Sequence, residues 1–228
     1  MATTEPTLQL VAARRLSLRD EATDQLRAQI IAGTLAPDTL ISIGTIAKQL
    51  EISATPVREA VLKLAQEGLV EVVKNRGFRV RVPTDKELDD IVELRLVLEV
   101  AAMRRVAELD PHPDLGELRP LAEDLVGLAT EGDMARFVAV DKEFHLGLTA
   151  LLGNPQYVEM VELLRNRSRL LGLPRLSGDR DLIQSASEHI ELLELISAGD
   201  GPGSEALMRQ HLRHVRGLWA GRPESQDR

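Results

Sequence analysis

Five histidines are spread over 228 residues, and four of them, His145, His189, His211 and His214, lie beyond residue 140 in sequence with helical periodicity. Asp141 stands four residues before His145, so on a helix both project from one face. His189 falls inside a second such stretch and His211 inside a third, with His214 three residues on. Asp and His at this spacing form a bidentate clamp for a metal ion. Imidazole suits first-row divalent ions, and a carboxylate neutralises part of their charge. A single helical His is more often an ordinary core or surface residue. Here the surrounding stretches are apolar, with few other polar side chains at inward-facing positions. Asp141 and three histidines from three helices, His145, His189 and one of His211 and His214, therefore read as a coordinating set, with positions left for water or a carboxylate ligand.

Two kinds of cation complete the inventory. Arg95 lies four residues before Glu99. It either pairs with that residue along the helix or offers its fork of donors to the carboxylate of a small effector. Arg165 and Arg169, also four apart, are further candidates for the second role. In the first half, Arg58 lies within the stretch Ser53–Val70, SATPVREAVLKLAQEGLV, and Lys74 and Arg76 follow it.

That stretch is a well-punctuated helix. Ser53 and Thr55 suit an N-cap, Pro56 is tolerated in the first turn, and Val57, Ala60, Val61, Leu64 and Ala65 recur at helical spacing. Gly68 supplies the left-handed stop. Before it, Ser17 caps a helix with the apolar face Leu18, Ala22, Leu26, Ile30 and Ile31. Leu40 and Ile41 then lead to Ser42, which caps a short helix. After Gly68 the period changes to two. Leu69–Val73 and Phe78–Val82 read as strands around a Lys74-Asn75-Arg76-Gly77 turn. Three helices and a two-stranded basic ribbon make a winged helix-turn-helix, whose second helix sets its N-terminal side chains against base edges in the major groove.

Beyond Pro83 the pattern is helical throughout. Thr84 caps a helix whose register gives Leu88, Ile91, Leu94, Arg95, Leu98, Ala101 and Ala102. Further helices are expected from Asp114 to Thr130, from Asp133 to Leu152, from Pro155 to Leu173, from Leu182 to Ala198 and from Ser204 to Trp219. The fold class is thus mainly α, an N-terminal winged helix-turn-helix followed by an all-α six-helix bundle. The expected boundaries are a flexible tail at 1–16, the winged domain at 17–83, the helical domain at 84–220 and a tail at 221–228.

The absence of cysteine excludes disulfides, thiolate metal sites and cysteine nucleophiles. No apolar run approaches the ~18 residues of a membrane span, and the N-terminus does not read as a signal peptide, so a cytoplasmic protein is expected. The net charge of −8 is unevenly placed: residues 1–83 carry 11 basic and 9 acidic side chains, and the rest carries 17 and 27. The front half could approach phosphates; the back half would be repelled by them.

Residues 17 to 83 resemble the winged domain of the GntR family of bacterial transcription regulators. The resemblance is carried by Leu26-Arg27, Gly33, Pro37, Ser53, the run from Thr55 to Ala60, Glu67-Gly68-Leu69-Val70, and Gly77 with Val80. It implies that Arg58 and the small polar residues Ser53 and Thr55 contact an operator, and that Arg76 and Gly77 in the wing enter a minor groove. Ala54 stands where the family commonly has Arg, and Asp38 replaces the usual Gly of a Pro-Gly turn. The second half resembles the FCD ligand-binding domain of the FadR-like branch, through Glu93, Arg95, Leu98-Glu99, Asp141, Phe144-His145, Asn154-Pro155, Glu188-His189-Ile190 and His211-Leu212. Six helices suggest the shorter VanR-like form. In metal-containing members the residues matching Asp141, His145, His189 and His211 hold the metal.

The expected function is a non-enzymatic DNA-binding transcription regulator, a homodimer on a palindromic double-stranded operator and most simply a repressor. Its operator affinity would respond to a small organic acid. That effector would bind at a divalent transition metal, zinc first, with nickel, manganese or iron as alternatives, and meet Arg95 or Arg165. Two rivals stand beside it. One is a metal-dependent enzyme with a DNA-binding anchor, in which Glu143 or Glu188 would have to act as base, although helix neighbours of a ligand point away from its face. The other is a regulator whose metal is purely structural.

Overall fold

The computed structural model describes residues 6–31, 33–168 and 180–216. The expected tail at 221–228, the break at Gly172–Pro174, Arg169 and Trp219 lie outside the described residues, as does the side chain of His214. The chain divides into two compact units, Met1–Val82 and Pro83–Arg228.

In the first unit the elements are α1 (Pro6–Ile31), β1 (Leu40–Ile41), α2 (Ile43–Gln49), α3 (Ala54–Gln66), β2 (Val70–Val73) and β3 (Gly77–Val80). α1 packs on α3, and Ala22, Leu26, Ile30, Val57, Ala60, Val61 and Leu64 form the shared core with Phe78 and Val80 from the wing. The half-buried Arg27 and Glu67 clamp the far ends of the two helices, with Arg27 Nη2 donating to Glu67 Oε1 at 3.2 Å. Gly68 has φ 78°, and the Leu69 N–H donates back to the Leu64 carbonyl at 2.9 Å. This closes α3 and turns the chain into β2.

Three sequence expectations change here. α1 begins at Pro6 rather than Ser17. Ser17 donates to Glu21 at 2.9 Å from within the helix, and Pro6 suits a first helical position, so residues 6–16 belong to α1 and not to a tail. Leu40–Ile41, too short to show alternation, forms a third strand, and the wing is a sheet of order β1-β3-β2, antiparallel throughout. Ser53 occupies the N-cap of α3, but its hydroxyl makes no capping bond, whereas Ser42 does accept from Thr45 N, at 3.0 Å. At the Pro37 turn Asp38 adopts φ 58°, a left-handed position that Asp enters more readily than most side chains.

The second unit contains six helical rods among the described residues. The first is continuous: α4 (Asp85–Arg95), a π-helical turn at Leu96–Val100, and α5 (Ala101–Ala107). Thr84 and Glu87 close a capping box at its start. The others are α6 (Leu118–Glu131), α7 (Met134–Ala150), α8 (Pro155–Ser168), α9 (Arg180–Ser197) and α10 (Gly201–Arg216). Asp133 caps α7 by accepting from Arg136 N at 3.1 Å. α9 packs against α6, α10 and α5, and α7 against α6 and α8. The register expected for the first rod is corrected. Its buried face runs through Leu88, Arg95, Glu99, Val100, Ala102 and Met103, while Leu94 is 53% exposed and Ala101 is also exposed. The π turn inserts an extra residue, which lets Glu99 and Val100 as well as Ala102 and Met103 continue inward.

Gly77 is the tightest backbone position of the wing. It has φ 135°, and a Cβ there would run into the Ile41 carbonyl of β1. Gly77→Ala is expected to destabilise the first unit by about 1–3 kcal/mol from the backbone conformation alone. Denaturant unfolding of the full chain checks it; an unchanged midpoint would show that β1 does not press on the wing.

Candidate metal centre and nucleic-acid interface

The exposed face of α3 carries Thr55 and Arg58, with Ser53 exposed just before it. The Ser53 hydroxyl is not spent on capping, so it faces solvent beside the helix start. Arg58 lines an open groove of ≈ 440 Å³ together with Asn75, Arg76 and Gly77 of the wing, Ser42 and Gly44 at the start of α2, and Leu62 and Val72. The fold thus brings Arg58, Arg76 and Gly77 around one groove, and Ser53 and Thr55 stand at the end of α3 where a helix offers its unpaired N–H groups. Gly77 contributes backbone shape rather than a side chain.

In the second unit α7 presents Asp141 and His145, α9 presents His189 and α10 presents His211. All four are buried, and one ligand atom from each lies within 4.8 Å of the others. Phe144 meets His145 and His189 edge-on, with ring centroids 5.3 and 4.9 Å away. It walls the cluster with apolar surface.

The hydrogen bonds fix how these rings are used. His189 Nδ1 lies 2.9 Å from the Ala186 carbonyl oxygen. A carbonyl only accepts, so Nδ1 carries the proton and Nε2 presents its lone pair. That Nε2 lies 3.2 Å from Asp141 Oδ1 and 3.1 Å from His145 Nε2. Two acceptors facing each other at this distance need positive charge between them, either a proton from His145 or a metal ion. His211 Nδ1 lies 2.8 Å from Glu188 Oε2, which leaves Nε2 as its coordinating nitrogen. Burial pushes His211 down to about 3 against the opposing pull of Glu188. Burial, then the charge of Arg165, holds His145 well below the usual range. Both rings are neutral at physiological pH, the state in which imidazole binds metal. The donor set, three neutral imidazoles and one carboxylate, fits a divalent transition ion.

Behind Asp141 lies a buried ion network. Arg165 Nη1 donates to Asp141 Oδ2 at 2.9 Å, and Arg165 Nε donates to Glu99 Oε2 at 2.8 Å. Arg95 Nε donates to Glu99 Oε1 at 2.6 Å, and Arg95 Nη1 to Ser168 Oγ at 3.0 Å. Burial alone would raise the Glu99 carboxyl, but Arg165 and Arg95 together bring it down to about 2. Burial lowers Arg165 to about 9, opposed by Glu99. Arg95 therefore makes the helical pair with Glu99, and Arg165 orients a ligand of the candidate centre. Both guanidiniums are fully buried.

The sequence reading turned Glu188 away from the cluster, as the neighbour of a ligand, and missed its contact with His211. It follows from helix geometry that residues 188 and 189 diverge, yet both are buried, because α9 is covered by α6 on one side and by α10 on another. The sequence carries no local signal for it: the apolar or small residues at 182, 185, 186, 192, 193 and 196 form one ordinary helical stripe, and Glu188 lies at its edge.

The family model for the gntR family of bacterial regulatory proteins matches residues 18–80, and that for the FCD domain matches residues 90–214. The chain is 33% identical over 196 residues to an HTH-type transcriptional regulator in an unstable DNA locus of Streptomyces ambofaciens, covering 84% of this chain and 80% of the relative. It is 32% identical over 187 residues to the HTH-type transcriptional regulator McbR of Escherichia coli K12, covering 81% and 83% of the two chains. The solved structure of McbR aligns with a TM-score of 0.73 at 29% identity, covering 86% of this chain and 94% of that one. The HTH-type transcriptional repressor RspR, also of E. coli K12, is 25% identical over 194 residues and 83% of each chain. The chain belongs to the gntR family of bacterial regulatory proteins, as a DNA-binding transcription regulator whose winged helix-turn-helix is followed by an FCD domain.

Proposed function

We propose that this regulator is a homodimeric repressor whose affinity for a palindromic operator is set by a small carboxylate metabolite bound at a metal site in its second unit. The observation that carries the reading is the buried convergence of Asp141, His145, His189 and His211 within 4.8 Å. These four residues would hold a divalent transition ion, with zinc favoured over nickel, manganese or iron, and the ion when bound supplies a Lewis-acidic point for an effector oxygen.

Charge supports an anionic effector. Among the described residues, the buried ionised side chains around the cluster are Arg95, Arg165, Glu99, Asp141 and Glu188. With neutral histidines they sum to one negative charge. A divalent ion turns this into one positive charge in a medium where unbalanced charge is costly, and a carboxylate balances it. Arg95 and Arg165 are the effector-facing cations in this reading, each with several donors beyond those spent on Glu99. The repressor role is supported by RspR, which is named as one. For the dimer, Leu94 and Val97 are 53% and 66% exposed on the first rod, an apolar surface suited to a second copy. Ser53, Thr55, Arg58, Arg76 and Gly77 would meet the DNA. Among the described residues no helix is long and apolar enough to cross a membrane, and action on bacterial DNA supports a cytoplasmic location. The effector controls the operator only by binding one arrangement of the two DNA-binding units better than another.

Metal content per chain in untagged, chelator-free protein tests the centre. About one equivalent of transition metal is expected in the wild type, and little in His189→Ala; equal content in both would remove His189 from the site. Arg58→Ala is expected to lower affinity by about 5- to 150-fold, from ~1–3 kcal/mol per lost base contact, for an operator selected from random DNA by the wild type. Metal content should not change, and fluorescence anisotropy titrations would show an unaltered Kd if Arg58 does not touch DNA.

A further inference from the structure

Glu188 is a carboxylate with 2% exposure in the middle of a helical bundle. Burying such a charge is costly unless it is engaged, and both oxygens are engaged here. Oε1 accepts from Gln210 Nε2 at 2.9 Å, and Oε2 faces His211 Nδ1 at 2.8 Å. The two bonds tie α9 to consecutive residues of α10.

The consequence lies on the other edge of the His211 ring. A neutral imidazole has one N–H, and the carboxylate can only accept it. The proton therefore sits on Nδ1, and Nε2 is held as a lone pair in the cluster, where the His211 ring centroid is 4.7 Å from that of His189 and 5.2 Å from that of His145. His189 receives the same service from a neutral partner, the Ala186 carbonyl. Asp141 receives it from Arg165. His145 Nδ1 is buried with no hydrogen-bond partner, so the candidate ligands differ in how firmly they are aimed. His211 is held from behind by a full negative charge.

We infer that Glu188 is a positioning residue for the metal centre, fixing the tautomer and orientation of His211 and raising the affinity of the cluster for a divalent transition ion. This rests on the metal reading proposed above. It also assigns work to the residue that the enzymatic alternative would have used as a base: a carboxylate that accepts from His211 and Gln210 stands behind a ligand, not in front of a substrate.

The test uses the full chain stripped of metal and zinc ion as the probe, titrated in competition with a chromophoric chelator. Glu188→Gln keeps an acceptor for His211 but removes the charge. Glu188→Asp keeps the charge but withdraws it from the ring by one methylene. Both are expected to weaken zinc binding, by about 10- to 100-fold for a lost orienting partner. The thermal midpoint of the metal-free protein should stay near wild type, and the visible absorption of the cobalt(II) form should change shape as His211 loses its fixed orientation. Wild-type zinc affinity in both variants would overturn the inference while leaving the metal centre standing. A fall in zinc affinity matched by an equal fall in metal-free stability would also overturn it, since Glu188 would then only support the fold. Failure of the wild type itself to bind zinc would remove the metal reading and this inference with it.

Discussion

The second unit depends on one buried carboxylate, Glu99, held between two buried guanidiniums. Arg95 approaches from the same rod, and Arg165 from α8. Arg165 in turn reaches Asp141 on α7, so one chain of charged contacts joins the first rod, α8 and the helix that carries two of the four candidate ligands. Such a network adds little net stability compared with well-packed apolar residues, because desolvation offsets much of the attraction; losing one member typically costs ~3–5 kcal/mol, because it leaves a charge buried alone. Its value is geometric. The network permits few arrangements of α7 relative to the first rod, and so it sets where Asp141 points.

The π turn at Leu96–Val100 belongs to the same constraint. A strictly α-helical rod would present one inward stripe, and the sequence between Leu88 and Ala107 does not offer a single apolar stripe of that kind. The extra residue lets Glu99 and Val100 both enter the interior after Arg95. The turn is further held by the Tyr157 hydroxyl, which donates to the Leu98 carbonyl at 2.5 Å. Tyr157 and Arg165 both lie on α8, so one helix secures the irregular turn and also orients a ligand.

Much of this was legible in the sequence, for identifiable reasons. Local chemistry marks its own position: Ser42, Thr84 and Asp133 cap helices where they stand, Gly68 ends α3, and the alternation in the wing survives in the register Val70↔Val80 and Val72↔Phe78. Asp141 and His145 were readable together because one helix turn brings them to one face. Features set by long-range packing were not readable. β1 is a strand only because β3 lies beside it. Glu99 bridges two arginines 70 residues apart in sequence. Glu188 points inward because α9 is enclosed on more than one face, which no local period announces. The N-terminal stretch of α1 failed differently: Ser17 has a capping residue's chemistry inside a longer helix, and a cap signal alone does not prove a helix start.

The distribution of charge shows how one acidic chain can act on DNA and, under the proposed function, still sense an anion. The winged half is slightly basic, and its cations Arg58 and Arg76 lie around a groove that also contains apolar Leu62 and Val72. Under the proposed function, DNA recognition there rests on these local cations and not on the net charge of the protein. In the other half the proposed metal inverts the sign of the interior. Without a divalent ion, the buried set of Arg95, Arg165, Glu99, Asp141 and Glu188 carries one net negative charge and would repel a carboxylate. With the ion it carries one net positive charge and attracts one. Under the proposed function, metal binding is then a precondition of effector binding: it supplies both the coordinating point and the electrostatic reason for an anion to approach a buried cluster that already contains three carboxylates.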